Sequence, residues 1–271
     1  MPTFGGSNAK DYIAPLSSRE RLILAEWERA RVTRVTRTEI AMRWGEDKAD
    51  KITSALVRKR ALRRVGRGIF LVVPLRAQAR PSTSSAAMTV AALLQDEPYY
   101  LGGLWALTFW RLTPQQYTAQ MDAFVIRSHR PRTLANARVR FHRAPASRID
   151  EVSERAFVEG ASVNLSTREG TLLDLLDYPG VAGAMRAALG FVELALDQTD
   201  LGKLVRLAAS VSRPSTCQRL GVLLERRGVA LSRLAPLRRR VSGTRSLTSM
   251  VPGAPRRGQV NARWRVVEND Q

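Results

Sequence analysis

The chain has 271 residues, of which 44% are hydrophobic and 25% charged, a balance that suits folded cores and leaves room for two domains. No apolar run approaches the roughly 18 residues that span a bilayer. The start, MPTFGGSNAKDY, lacks the basic-then-apolar pattern of an export signal, and the single Cys217 excludes an internal disulfide or a multi-thiol metal site. These features predict a cytoplasmic protein with no membrane partner.

The net charge of +20 is unevenly placed. Residues 1–76 carry 17 Lys/Arg against 8 Asp/Glu, residues 77–205 carry 13 of each, and residues 206–265 carry 14 against Glu225 alone. Two basic ends around a neutral middle read as two electrostatic surfaces attached to a neutral core.

Ser17-Ser18-Arg19-Glu20 has capping-box spacing and opens a helix to about Arg31. Thr36-Arg37-Thr38-Glu39 repeats the spacing before a short helix with Ile40, Ala41 and Trp44, and Gly45 suits its end. Asp47 is expected to cap the next helix, about 47–60, with Ile52, Ala55 and Leu56 turned inward. Lys48, Lys51, Ser54 and Arg58 then share the opposite face. After it, Arg58, Lys59, Arg60, Arg63, Arg64 and Arg67 place six cations in ten residues, and Gly66-Arg67-Gly68 predicts the tip of a two-stranded ribbon ending in the β-branched run 69–73.

Helix, turn, basic helix and β-wing together predict a reader of double-stranded DNA. The basic helix would enter the major groove, with Arg67 on a phosphate or in a narrow minor groove. Thr36, Arg37, Thr38, Lys48, Lys51, Ser54, Arg58, Lys59, Arg63, Arg64 and Arg67 are the candidate contacts.

Arg80-Pro81-Ser82-Thr83-Ser84-Ser85 reads as a linker or helix start, which places a domain boundary near residue 78. A helix over 83–95, a second one carrying Trp105, Leu107, Phe109 and Trp110 as core, and strands over 122–127, 138–143, 157–159 and 162–165 are expected next. Ser166-Thr167-Arg168-Glu169 has capping-box spacing and opens the helix LLDLLDYPG, followed by helices over 181–195 and 200–211.

Glu169, Asp174 and Asp177 are the best candidate metal ligands for catalysis here. The preferred reading has Glu169 capping and the aspartates flanking the leucine face toward solvent. His129 and His142 have no Cys or carboxylate at ligand spacing, and no phosphate-cradling loop or nucleophile elbow is present. No catalytic residue, cofactor or metal is therefore expected.

Residues 212–228 predict a helix starting at Pro214 and stopping at Gly228, with Leu220, Leu223 and Leu224 inward and Arg219, Arg226 and Arg227 outward. Arg233, Arg238, Arg239 and Arg240 follow. These seven arginines form a candidate partner or nucleic-acid surface in the basic part, 206–265. Cys217 reads as a small buried hydrophobe, and 261–269 alternates like a final strand.

Four segments in order, YYLGGLWALTFWRLT at 99–113, STREGTLLDLLDYPGVAG at 166–183, QRLGVLLERRG at 218–228 and NARWRVVEN at 261–269, together with the amino-terminal module, resemble the AbiEi family. This is the antitoxin half of AbiE-type (type IV) bacterial toxin–antitoxin systems. Phe70 stands where a tyrosine is expected in the wing, and Gln218 where a second arginine is common. The resemblance implies an α+β protein with a winged helix-turn-helix at 1–78 and a larger mixed α/β interaction domain at 79–271. It also implies repression of the protein's own operon from inverted repeats, and neutralisation of a cognate nucleotidyltransferase-fold toxin. No dimerisation zipper is evident, so a monomer or weak dimer, paired on DNA, is expected. The alternatives are a stand-alone repressor sensing a ligand in its second domain, and a metal-dependent nucleic-acid enzyme using Glu169, Asp174 and Asp177.

Overall fold

Two reciprocal capping boxes set the first helices. The Ser17 hydroxyl accepts from the Glu20 amide while the Glu20 carboxylate accepts from the Ser17 amide at 2.6 Å, opening α1 (Ser18–Arg29). Thr36 and Glu39 repeat the exchange before α2 (Arg37–Trp44), following the three-residue strand β1 (Arg34–Thr36). Gly45, at φ +93°, both ends α2 and precedes α3 (Glu46–Arg58). Asp47 does not cap α3 as expected: it lies in the first turn, and no side chain caps this helix.

The computed structural model describes residues 15–73, 86–135, 137–158 and 161–270, so the amino-terminal stretch, the expected linker at 80–85 and the boundary near 78 lie outside the described residues. The chain is mixed α and β and divides into two units, Met1–Gln95 and Asp96–Gln271.

In the first unit, Leu24, Trp27, Ile40, Ala49, Leu56, Leu62 and Phe70 share one core, with Trp27 meeting Trp44 edge-to-face at 6.1 Å. Ala49, Thr53 and Leu56 are the deep positions of α3. Ile52, expected to point fully inward with Ala55, is only partly buried, as Ala55 is. Thr53 is accommodated because its hydroxyl donates to the Ala49 carbonyl at 2.9 Å.

Strands β2 (Leu62–Gly66) and β3 (Ile69–Val72) form the expected hairpin, with Arg67-Gly68 at its tip. The sheet has three strands, in the order β1-β3-β2, because β1 pairs antiparallel with β3. Three residues are too few for alternation to announce a strand. Helix α4 (Ala86–Leu94) packs on the hairpin through Ala92 against Val65 and Leu71, and so belongs with the first unit.

The second unit is built on a six-stranded sheet of β4 (Tyr99–Gly102), β5 (Gln120–Val125), β6 (Arg132–Leu134), β7 (Ala137–Arg143), β8 (Ser153–Val158) and β9 (Ala161–Ser166). Its order is β6-β7-β5-β4-β9-β8; β5–β7 and β4–β9 are parallel and the other pairs antiparallel. Helices α5 (Gly103–Phe109), α6 (Ala146–Val152), α7 (Arg168–Asp177), α8 (Met185–Ala195), α9 (Leu201–Val211), α10 (Pro214–Arg226) and α11 (Ala235–Ser242) surround it. Three two-residue strands close the chain: β10 (Thr248–Ser249), β11 (Val260–Asn261) and β12 (Val266–Val267).

The centre of this core is α7, which buries every residue from Glu169 to Asp177. The expected solvent face for Asp174 and Asp177 does not exist, since neighbouring elements cover the helix all round. Its cap is also shifted by one residue: Thr167 accepts from the Gly170 amide. Glu169 instead accepts the Asp200 amide at 3.0 Å, at the start of α9. Trp105, Phe109 and Trp110, expected in the core, are only half-buried, and Ala106 and Leu107 are the buried side chains of α5.

Replacing Gly45 with alanine forces a side chain into a backbone region that L-residues resist. The Gly45→Ala variant should lose about 1–3 kcal/mol of first-unit stability in urea unfolding. An unchanged midpoint would mean that the α2–α3 turn relaxes to another geometry.

Candidate functional site

On α3 the exposed face carries Lys48, Lys51, Ser54 and Arg58, opposite the buried Ala49, Thr53 and Leu56. None of these four side chains is tied up by an ion pair among the described residues. Arg67 is exposed at the hairpin tip, and Arg64, also exposed, lies with its guanidinium 5.5 Å from the Phe70 ring centre. Thr38 is exposed in the first turn of α2, and Arg63 is half-buried on β2.

Three other expected contacts have structural partners. The Thr36 hydroxyl is spent on Glu39. Lys59 pairs with Glu20 at 2.6 Å, with both side chains only 15% exposed. Arg37 donates through Nε and Nη2 to both Asp50 oxygens, at 2.7 and 3.0 Å, and through Nη1 to Glu46 at 2.7 Å. Its amide also donates to the Gly68 carbonyl at 2.7 Å. Hydrogen bonding from Arg37 holds the Asp50 carboxyl below its ordinary range. Arg37 therefore joins the start of α2 to the start of α3 and to the hairpin tip.

The second unit holds a buried ionic cluster. Arg148, 3% exposed, donates to Asp177 at 2.6 Å and to Asp174 at 2.8 Å. The Tyr100 hydroxyl donates to Asp174 at 2.7 Å. Asp177 is saturated: one oxygen accepts from Arg148 and Ser212, the other from Thr216 and the Arg213 amide. Asp174 is not, since its Oδ2 has no hydrogen-bond partner. Burial pushes Asp174 up to about 6 against the opposing pull of Arg148. Burial likewise raises the Tyr100 hydroxyl well above its ordinary value, with Asp174 adding to the effect.

As metal ligands these carboxylates are poorly disposed. A guanidinium stands between Asp174 and Asp177, while Glu169 is held by the Asp200 amide and by Lys203 at 3.1 Å. No group of three His, Cys, Asp or Glu residues is gathered among the described residues. Both histidines do face carboxylates, contrary to the expectation from spacing. His142 Nε2 lies 2.7 Å from Asp122, which also takes a two-pronged contact from Arg140, and His129 Nε2 lies 2.6 Å from Glu97.

The carboxy-terminal arginines separate into two groups. Arg219, expected to point outward, is buried and donates to the Ser249 and Met250 carbonyls, and burial lowers it to about 10. Arg226 holds Glu268 and Asp270, and Arg227 pairs with Asp197. Arg233, Arg238, Arg239 and Arg240 are exposed. Cys217 is buried, and burial raises its thiol to about 12, in keeping with a packed hydrophobe.

Arg148, Tyr100, Asp122, Ser212 and Thr216 carry no sequence signal, because their partners lie 18 to 74 positions away.

No family model matches the chain, and no curated protein does. Among solved structures it is similar to the crystal structure of the RV2827C protein from Mycobacterium tuberculosis, with a TM-score of 0.63 at 14% identity. The match covers 93% of this chain and 92% of that one, a likeness of fold over nearly the whole length.

Replacing Arg148 with methionine strands two buried carboxylates and should cost about 3–5 kcal/mol in denaturant unfolding. Asp174 is raised from 3.8 to about 6, so its contribution to stability is whole below pH 3.8 and lost as pH rises through about 6. The stability of the native protein minus that of Asp174→Asn should fall across this window. A flat difference would show that Asp174 titrates normally.

Proposed function

We propose that the first unit is a winged helix-turn-helix that binds duplex DNA, with α3 in the major groove and the β2–β3 hairpin as its wing. One observation carries the reading: α3 buries one face in its own core and offers Lys48, Lys51, Ser54 and Arg58 together on the other. The start of this helix is acidic, with Glu46, Asp47 and Asp50, and Arg37 pairs with two of them and offsets one of the three negative charges. The net attraction for phosphate then comes from Lys48, Lys51, Arg58 and the hairpin cations Arg64 and Arg67.

The larger role follows from the AbiEi-like segments. The protein would repress its own operon from inverted repeats and counter a nucleotidyltransferase-fold toxin through the second unit. The stand-alone, ligand-sensing repressor is the second reading, favoured by a cavity of about 430 Å³ in that unit.

Lys51→Ala or Ser54→Ala should cost about 1–3 kcal/mol on the preferred promoter sequence and little on unrelated DNA. Arg67→Ala should reduce the salt slope of log K by about one contact. Promoter binding that survives all three changes would remove α3 from the groove. For the second role, co-expression with a neighbouring nucleotidyltransferase should restore growth. An isolated gene, or no rescue, would leave only the repressor.

A further inference from the structure

The cavity in the second unit lies at the carboxyl ends of the adjacent parallel strands β5 and β7. Ile126 follows the first; Arg143, Ala144 and Pro145 end and follow the second. Arg148 of α6, Asp177 and Tyr178 at the end of α7, Val211 of α9 and Arg213 before α10 complete the lining. Crevices beyond the carboxyl ends of parallel strands are where open α/β sheets hold their ligands.

Three of these residues are arginines and one is an acid. The acid is fully occupied, since both Asp177 oxygens already accept two hydrogen bonds each. Arg148 is held by its two carboxylates and forms the inner wall. Arg143 and Arg213 are exposed at the rim, and no carboxylate pairs with either among the described residues. Tyr178 is fixed between them: its hydroxyl donates to the Arg143 carbonyl at 3.1 Å, and the Arg148 and Arg213 guanidinium carbons lie 5.4 and 5.6 Å from its ring centre. Ile126, Ala144, Pro145 and Val211 supply apolar wall.

Two guanidiniums with no carboxylate partner match a dianion better than a monoanion, and a phosphate monoester carries between one and a half and two negative charges at neutral pH. A cavity of about 430 Å³ is far larger than a phosphate group and leaves room for an organic body against the apolar wall. We propose that this cavity binds a small phosphate monoester of nucleotide size, its phosphate held by Arg143 and Arg213 and its organic part laid against the apolar wall. The site does not depend on DNA binding by the first unit.

The experiment is calorimetric titration of the full chain with adenosine monophosphate, ribose 5-phosphate, adenosine and citrate. The two phosphate esters should bind with dissociation constants below about 1 mM, and adenosine and citrate should bind at least about tenfold more weakly. Arg143→Ala and Arg213→Ala, both at the exposed rim, should each weaken the esters by about tenfold or more without moving the melting temperature. Arg238→Ala, which removes an exposed arginine outside the cavity, should change nothing. The proposal is overturned if neither ester saturates, if citrate binds as well as they do, or if Arg238→Ala weakens binding as much as the rim variants. The last result would mean diffuse attraction to a basic chain.

Discussion

Arg148 is the residue on which the second unit depends. Through Asp174, Asp177 and Tyr100 it joins α6, α7 and β4, and Asp177 extends the network to Ser212 and Thr216 on either side of the turn into α10. A buried cation held by two carboxylates contributes little net stability over a hydrophobic substitute. Once present, it penalises the loss of any one member heavily. The backbone is shaped around it: a Cβ on Gly102 would stand 2.5 Å from the Asp174 carboxylate, so the strand can pass there only without a side chain.

Charge in this chain is partly structural. Not all of the +20 is free to meet a polyanion: Arg148 and Arg219 are buried, and Arg37, Lys59, Arg140 and Arg226 are bound to carboxylates. Exposed cations remain on α3 and the hairpin, at the cavity rim and around α11.

Much of the local architecture was legible in the sequence. Capping spacings marked α1 and α2, Gly45 marked a turn, and Gly66-Arg67-Gly68 marked a hairpin, because each signal is contained within a few residues. The face of α3 was legible for the same reason. The six-stranded sheet was only partly so: β4, hidden in an aromatic run before two glycines, gave no alternation. Asp174 and Asp177 misled because helical spacing reports which residues share a face but not whether another element covers that face. Arg219 misled in the same way, being an arginine whose donors are satisfied by carbonyls 30 and 31 positions away. The cavity was beyond reach, since its lining is gathered from β7, α6, α7 and α9 and from residues that flank β5 and α10.

Arg37 bears on how this protein would answer alanine scanning. Its guanidinium is spent on Asp50 and Glu46, and its amide on the hairpin tip. Removing that side chain leaves two uncompensated acids at the head of α3, which would repel any polyanion approaching there. If α3 meets DNA, a scan would score Arg37 as a contact residue even where its guanidinium serves only to hold Glu46 and Asp50. Only restoring neutrality from the other side, by removing the acids as well, would tell the two roles apart.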